Sequence, residues 1–242
     1  MAIKDWASEK NNHAIRYDDA VFAGPSLDYF DPTYWQSENK VTGNAQGRGT
    51  TYFIEHESRH WVLRHYRRGG LIGKVLTDEY LYGGLGSTRA FAEFDLLHRM
   101  RELGLPVPEP VAAHVSRHGL FYRADLITAM IPDSQDLYHA LCHEPLDAAT
   151  WERVGETIAR LHQALVYHHD LNIHNIMRDG EGTIWIIDFD RCAIRDGDGW
   201  KQEMLNRLQR SLEKELGRCE TFHFSTENWQ QLLRGYERKI RP

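Results

Sequence analysis

Residues 166–177 read V-Y-H-H-D-L-N-I-H-N-I-M, and the interpretation of this stretch decides the fold. It places three histidines, one aspartate and two asparagines among apolar residues. Two simple interpretations are a histidine metal cluster and a polar structural turn. Adjacent histidines in a turn lack the usual spacing of zinc ligands, and this stretch does not contain the H-E-x-x-H pattern of a zinc-binding helix. A third interpretation starts from the aspartate.

Asp170 stands at the spacing of a phosphotransfer site. It lies two residues after His168 and five residues before Asn175, and the pair Asp188-Phe189 follows thirteen residues later. This arrangement matches the catalytic loop H-x-D-L-x-x-x-N and the D-F pair of kinases. In that pattern Asp170 accepts or orients the proton of an attacking hydroxyl, while Asn175 and Asp188 hold Mg²⁺ against the phosphates of ATP. His168 is then expected to support the loop.

The hydrophobic patterns change character near residue 131. Before it, they predict a strand hairpin within 50–66, a helix from Ser87 or Thr88 to Gly104, and strands near 111–116 and 120–131. After it, they predict a helix capped by Asp147, a short buried strand before Asp188, and helices near 199–216 and 226–238. We therefore expect an α+β, bilobal, protein-kinase-like fold. Its N-lobe, residues 1–131, has an antiparallel sheet plus one helix and binds the nucleotide. Its C-lobe, residues 132–242, is mainly helical and carries the catalytic loop, the metal ligands and the acceptor side.

The first lobe contains the candidate nucleotide-binding residues. Gly47 and Gly49 lie in a glycine-rich segment whose N–H groups could cover phosphates, although a plain hairpin turn fits equally well. Arg64 occupies the strand position of the phosphate-binding lysine of kinases, and Lys74 is the nearest lysine. Glu93 lies in the first long helix, where a kinase keeps the glutamate that pairs with that lysine. A solvated helix face is the alternative for Glu93.

Composition narrows the classes of protein. The 242 residues carry a net charge of −6, which does not favour nucleic-acid binding. The three cysteines are widely spaced, so a disulfide framework is not expected. We find no apolar leader at the N-terminus and no apolar run long enough to span a bilayer. The expected location is cytoplasmic, with attachment to a membrane surface left open.

Several segments together resemble one kinase family. They are G-R-G-T-T-Y-F-I, W-V-L-R-H-Y-R-R-G-G-L, L-P-V-P-E-P-V-A-A, Y-H-H-D-L-N-x-H-N-I and I-D-F-D-R, spread in order over roughly residues 40–215. They are similar to segments of the Kdo kinases, where Kdo is 3-deoxy-D-manno-octulosonic acid, within the lipopolysaccharide core kinases of Gram-negative bacteria. The resemblance implies ATP-dependent phosphorylation of the Kdo 4-hydroxyl on a lipid A precursor. It also implies peripheral association with the cytoplasmic face of the inner membrane, and a catalytic aspartate at Asp170.

The segment after Asp188 bears on the acceptor. D-F-G is replaced by Asp188-Phe189-Asp190, no A-P-E follows, and few residues precede the next predicted helix. A peptide-docking segment and a protein substrate are therefore not expected. The basic run Arg64, Arg67, Arg68 and Lys74 could meet phosphates, a sugar carboxylate or lipid headgroups, or could simply be solvated. Kinases of core heptose or of aminoglycosides, and a non-catalytic pseudokinase module, remain alternatives.

Overall fold

The computed structural model describes residues 2–8, 12–22, 24–46, 49–67 and 78–241. The chain divides into two compact units, one formed by Met1–His98 with Glu109–Met130, the other by Arg99–Pro108 with Ile131–Pro242. Residues 99–108, expected in the first lobe, thus cluster with the second unit. The predicted α+β class is confirmed, because an antiparallel sheet dominates the first unit and helices dominate the second.

The first unit is built on one antiparallel sheet. Its strands are β1 (Ile3–Ser8), β2 (His13–Asp18), β3 (Val41–Gln46), β4 (Thr50–His56), β5 (Arg59–His65), β6 (Tyr80–Leu81), β7 (Pro110–His118) and β8 (Phe121–Ala129). Their order is β1-β2-β7-β8-β5-β4-β3, and β6 pairs with β8. The helices are α1 (Pro32–Ser37) and α2 (Arg89–Glu102), the second of which runs on into residues of the other unit. The sequence predicted α2 alone.

The predicted hairpin is confirmed as β4 and β5. Its two-residue turn consists of Glu57 and Ser58, both in the left-handed region with φ of 47° and 64°. Such a turn matches the twist of the paired strands. The glycine-rich segment before the hairpin is largely strand, since Gly43 lies inside β3. Strand β3 ends at Gln46 and β4 begins at Thr50.

An aromatic core covers one face of this sheet. Its buried members are Ile15, Phe22, Phe30, Trp35, Ile54, Trp61, Leu63, Val111, Ala112 and Ile127. Side chains alternate between the two faces of a strand. Because Trp61 and Leu63 point into this core, Arg64 projects from the opposite face of β5. Arg64 is therefore on the face of the sheet that points away from the aromatic core.

A chain of polar side chains crosses four neighbouring strands of the same sheet. His13 on β2 contacts His114 on β7, with 2.9 Å between ring nitrogens. The other nitrogen of His114 lies 2.9 Å from one oxygen of Asp125 on β8, and His65 on β5 lies 2.6 Å from the other. Burial alone would raise the pKa of Asp125, but the hydrogen bonds from the two histidines lower it overall. The carboxylate is therefore stabilised in its charged form inside the sheet.

The second unit is mainly helical. Its helices are α3 (Leu137–His143), α4 (Ala148–Gln163), α5 (Gly199–Leu216) and α6 (Thr226–Ile240), and its short strands are β9 (Gln135–Asp136), β10 (Val166–Tyr167), β11 (Ile176–Arg178), β12 (Ile184–Ile186) and β13 (Ala193–Ile194). The strands pair as β10-β13 and as β12-β11-β9. Asp147 caps α4 as predicted, by accepting from the N–H of Thr150. Within the described residues, no helix is both long and apolar enough to cross a membrane.

Helices α4 and α6 approach each other at two glycines. A Cβ atom added to Gly155 would lie 1.9 Å from the carbonyl oxygen of Leu232. One added to Gly235 would lie 2.0 Å from the carbonyl oxygen of Glu152. No side chain can be accommodated against backbone atoms at such distances. The absence of a Cβ at both positions is therefore what permits this helix pair.

Replacement of Gly235 by alanine should destabilise the protein, although the same change in a helix interior usually stabilises it by about 1 kcal/mol. The added methyl group must push α6 away from α4, and overpacking of this kind costs roughly 1–3 kcal/mol. Urea denaturation of Gly235→Ala measures the loss. Gln230→Ala, at an exposed position of α6, is the control and should change stability little. A stabilised Gly235→Ala protein would contradict the close packing.

His162, near the end of α4, is buried as a neutral imidazole. It is fully shielded from solvent, and its Nδ1 lies 2.8 Å from the hydroxyl of Tyr236 on α6. Burial, followed by repulsion from Lys201, lowers the pKa of His162 to about 3. The unfolded chain would bind a proton there near pH 6.5. Folding therefore opposes protonation of this ring.

The free energy of unfolding should fall as the pH drops below 6.5, because the unfolded chain then takes up a proton that the native His162 refuses. One such group contributes about 1.4 kcal/mol per pH unit. Urea denaturation at pH 7.5 and pH 5.5 measures how much the free energy of unfolding changes between the two pH values. This change should be smaller in His162→Gln. The exposed His143 provides the control, and His143→Gln should keep the wild-type difference. An unchanged pH dependence in His162→Gln would contradict this assignment.

Candidate active site

His168 connects the loop that follows β10 to the end of β12. Its side chain is fully buried, and its Nδ1 accepts a hydrogen bond from the N–H of Asp170 at 3.2 Å. The proton must then be on Nε2, which lies 3.1 Å from the carbonyl oxygen of Ile187 and donates to it. Burial lowers the pKa of His168 and keeps the ring neutral. The backbone of Asp170 and that of the residue before Asp188 are thus fixed to the same ring.

Two asparagine side chains hold the backbone of Asp170. The amide nitrogens of Asn172 and Asn175 each donate to the carbonyl oxygen of Asp170 at 2.9 Å. This use of the Asn175 nitrogen defines its Oδ1 as the acceptor end of the side chain. An amide oxygen is a ligand that Mg²⁺ takes in proteins. The donor type at Asn175 therefore fits the predicted metal role.

The β11-β12 hairpin explains why Asn175 and Asp188 come together. Ile176 pairs with Ile186, so the base of the hairpin sets Asn175 opposite Ile187. The N–H of Ile187 donates to the carbonyl oxygen of Asn175 at 3.0 Å. Asp188 is the next residue, and its carboxylate is a hard oxygen donor of the type that Mg²⁺ takes in proteins, like the amide oxygen of Asn175. Residues thirteen positions apart in sequence are thereby placed on adjacent backbone segments.

Asp188 adopts a strained backbone conformation. Its φ is 63°, in the left-handed region, and Arg191 shortly after it has φ of 62°. Non-glycine residues in this region cost of order 1 kcal/mol or more and concentrate at functional sites. Phe189, which is buried, packs edge-on against the His168 ring with 4.9 Å between centroids. The tight turn after β12 is therefore tied to the same buried histidine.

Arg207 on α5 contacts the Asp170 carboxylate, a contact that the sequence did not predict. One terminal nitrogen of its guanidinium lies 3.2 Å from Oδ1 of Asp170. The two side chains are 40% and 42% exposed, so both remain accessible to a ligand. The residues are 37 positions apart, and no motif or periodicity links them. Only the packing of α5 against the loop could have revealed the pair.

The three histidines of the opening stretch have different partners. His168 is used by backbone groups, and the backbone N–H of His169 contacts the sulfur of Cys192 at 3.2 Å. The ring of His174 lies against that of Tyr138, with 4.3 Å between centroids and an angle of 37° between the ring planes. In the described part of the chain, no group of three His, Cys, Asp or Glu side chains could hold a metal. The histidine-cluster interpretation therefore finds no support.

In the first unit, Arg64 and Glu93 form an ion pair. A terminal nitrogen of Arg64 lies 2.5 Å from one oxygen of Glu93, and the hydroxyl of Tyr66 donates to the other oxygen at 2.5 Å. Glu93 is only 4% exposed, whereas the Arg64 side chain is 26% exposed. The carboxylate of Glu93 is thus held by two donors, Arg64 on β5 and Tyr66 just after that strand. The solvated-face alternative for Glu93 is wrong.

Some of the remaining predicted residues of the first unit lie outside the part of the chain that the structure describes. Gly47 and Lys74, together with Arg68, lie outside the described residues. Gly49 directly precedes β4, and a Cβ atom added to it would lie 3.0 Å from the side chain of Arg67. A larger residue at position 49 would displace that arginine. Because the arginine side chain is flexible and could move aside, this contact alone does not require glycine at position 49.

The basic residues near the C-terminus are paired within the fold. Arg238 bonds to Glu152 at 2.9 Å and to Glu156 at 2.5 Å, both on α4. Arg234 bonds to Glu227 at 3.1 Å. Much of the positive charge of this tail is therefore balanced by acidic partners. Arg238 thus links α6 to α4, and the paired arginines do not form an unbalanced basic surface.

Comparison with known proteins adds evidence from outside the chain. The family model described as the lipopolysaccharide kinase (Kdo/WaaP) family matches residues 32–236. The chain belongs to this family. Membership confirms the predicted enzyme class, a sugar or lipopolysaccharide kinase, and the protein-kinase-like character of the α+β fold.

Individual relatives agree with the family assignment. A 3-deoxy-D-manno-octulosonic acid kinase of Vibrio vulnificus is 49% identical over 223 residues, covering 92% of this chain and 94% of the relative. Relatives of the same name from Photobacterium profundum and Haemophilus influenzae are 43% and 44% identical. They cover 94% and 87% of this chain, and 96% and 90% of their own lengths. The predicted resemblance to Kdo kinases is confirmed.

Replacement of His168 by phenylalanine should destabilise the protein by about 1–3 kcal/mol. The aromatic ring fills similar space, but the N–H of Asp170 and the carbonyl of Ile187 lose their buried partner. Urea denaturation measures the cost. The control is His174→Gln in the same loop, where the side chain is 47% exposed and the loss should stay within about 0.5 kcal/mol. An equal or larger loss of stability in His174→Gln would show that the loop depends on His174 instead.

Proposed function

We propose that the protein catalyses ATP-dependent phosphorylation of the 4-hydroxyl of Kdo in Kdo-lipid IV(A), during lipopolysaccharide core biosynthesis. The observation that carries this proposal is the fixed arrangement of Asp170, Asn175 and Asp188 around the buried His168. Kdo as the acceptor is supported by the names of relatives that match over most of the chain. The lipid-linked form and the 4-hydroxyl follow from the resemblance described in the sequence analysis.

Asp170 acts on the acceptor hydroxyl in this proposal. The hydroxyl oxygen attacks the γ-phosphorus of ATP, a new P–O bond forms, and the bond to the β,γ-bridging oxygen breaks to release ADP. The proton of the hydroxyl passes to the Asp170 carboxylate, which later releases it to solvent. The two asparagine bonds to the backbone carbonyl of Asp170 fix its main chain during this step. The side chain needs only one free oxygen for the proton.

Asn175 and Asp188 are the proposed ligands of Mg²⁺. An amide oxygen and a carboxylate match the oxygen donors that this ion prefers, and two protein ligands suffice because water and phosphate complete its shell. When bound, the ion neutralises charge on the β- and γ-phosphates. The two residues supply that position from the hairpin base and from the strained turn after β12. Their backbone is fixed independently of the ion by the bond between Ile187 and Asn175.

The phosphates of ATP are assigned to residues of the first lobe. Arg64, oriented by its ion pair with Glu93, takes the role that a lysine has in protein kinases. Gly47, Gly49 and Lys74 are further proposed phosphate-binding residues. In this division of roles, residues 1–131 bind the nucleotide and residues 132–242 provide the catalytic loop, the metal ligands and the acceptor side.

The acceptor is proposed to be lipid-linked, and the protein is proposed to work peripherally at the cytoplasmic side of the inner membrane. Only eight residues separate Asp190 from the first residue of α5, which leaves little chain for a peptide-docking segment. Kinases of core heptose or aminoglycosides are the alternative enzymes. A non-catalytic pseudokinase module is disfavoured because Asp170, Asn175 and Asp188 are all present.

Purified protein should transfer labelled phosphate from the γ-position of ATP to Kdo-lipid IV(A), with the phosphate located on the 4-hydroxyl by NMR. Asp170→Asn should reduce kcat by about 10²–10⁴-fold, because an amide cannot accept the proton. The exposed Asp196 serves as the control, and Asp196→Asn should retain activity. Transfer to heptose or aminoglycosides alone would contradict the proposed acceptor. Full activity of a folded Asp170→Asn protein would contradict the proposed base.

A further inference from the structure

Helix α5 lies along the loop that carries Asp170. The sulfur of Met204 accepts from the N–H of His168 at 3.4 Å, and the hydroxyl of Ser211 accepts from the N–H of Ile173 at 3.2 Å. Residues 204, 207 and 211 are spaced by three and four positions, so they share one face of the helix. The anchors at both ends of this face place Arg207 beside Asp170 between them. The contact is thus produced by the packing of a whole helix face.

The guanidinium of Arg207 has capacity for a second partner. It has five N–H donors in a planar fork, and among the described residues it bonds to Asp170 alone. Its side chain is 40% exposed, beside an Asp170 that is 42% exposed. A fork of this shape matches the two oxygens of a carboxylate. The open donors are therefore suited to an anionic group on the molecule that Asp170 acts upon.

A second arginine contributes positive charge at the same place. Arg191 follows the Asp188-Phe189-Asp190 segment, is exposed, and has no hydrogen bond or ion pair with the described residues. Burial lowers the pKa of His169, and the charges of Arg191 and Arg207 lower it further. The sulfur of Cys192, the residue after Arg191, accepts from the N–H of His169 at 3.2 Å, which places this segment beside the loop that carries Asp170. The two arginines are therefore a source of positive charge near this loop.

We propose that Arg207 binds the carboxylate of the acceptor sugar, with Arg191 adding positive charge, and so makes the enzyme select an acidic sugar over a neutral one. This inference rests on the proposed function, in which the acceptor is an octulosonic acid. Arg207 then bridges two carboxylates, that of Asp170 and that of the sugar. Since the carboxylate and the reacting hydroxyl belong to the same sugar ring, binding the first orients the second toward Asp170. Heptose, which has no carboxylate, lacks this contact.

A purely structural role for Arg207 makes a different prediction. If the arginine only holds the Asp170 carboxylate in place, its removal lowers turnover equally for every acceptor. If it binds the sugar carboxylate, its removal matters only when that carboxylate is present. The two roles are separated by combining a change in the protein with a change in the acceptor.

The experiment uses wild-type protein, Arg207→Met and Arg207→Lys with two acceptors, Kdo-lipid IV(A) and its derivative with the Kdo carboxylate converted to a primary amide. The kcat/KM of the wild type should be roughly 10- to 100-fold lower on the amide than on the acid, because a charge-assisted hydrogen-bonded pair is lost. Arg207→Met should show a similar loss on the acid and little further loss on the amide. Arg207→Lys keeps the charge but not the fork, and should be intermediate. The KM for ATP should not change.

Arg210 provides the matched control. It lies on the same helix, is exposed, and has no hydrogen bond or ion pair with the described residues. Arg210→Met should behave as wild type with both acceptors. Equal activity of the wild type on acid and amide would overturn the inference while leaving the proposed function intact. An equal loss for both acceptors in Arg207→Met would also overturn it, in favour of a role confined to Asp170.

A binding measurement decides the inference even if no phosphate is transferred. Wild-type protein without ATP is titrated with the methyl glycoside of Kdo and with its amide by calorimetry. The wild type should prefer the acid roughly 10- to 100-fold, and Arg207→Met should bind the two alike. Failure of transfer with this preference intact would contradict the proposed function alone. No preference in the wild type would contradict the carboxylate site.

Discussion

The imidazole of His168 has no contact with solvent, and both of its nitrogens bond to backbone atoms of residues that flank the site. One bond reaches Asp170, and the other reaches Ile187, the residue before Asp188. The arrangement requires a neutral ring with its proton on Nε2, and burial provides that state by lowering the pKa. The proposed base and the proposed metal ligands therefore depend on one desolvated side chain that takes no part in the chemistry.

Much of the second unit could be predicted because its signals are local. Asp147 caps α4, and the periodic apolar residues after it match the observed helix. The strand before Asp188 is a short apolar run, and the loop motif fixes Asp170 and Asn175 by spacing alone. Such features depend on contacts between residues close in sequence. The hairpin of β4 and β5 was found for the same reason, from two apolar runs and a short polar break.

The features that the sequence did not predict depend on contacts between distant residues. Arg207 meets Asp170 only because α5 packs along the loop. The polar chain through His114 and Asp125 requires the order of four strands, which no local pattern records. Strands β1 and β2 were missed because their residues alternate weakly, and because β2 joins the sheet through β7, a partner far along the chain. The aromatic core around Trp35 likewise forms from segments that carry no motif.

The hairpin of β11 and β12 has a consequence for recognising distant relatives. Asn175 and Asp188 are brought together at the base of the hairpin, whereas residues 179–183 form its far end. Insertions or deletions at that end would leave the base, and hence the pair, in place. The interval of thirteen residues is therefore a property of this chain and not of the chemistry. A search pattern for homologues should therefore allow this interval to vary while keeping the loop before Asn175 fixed in length.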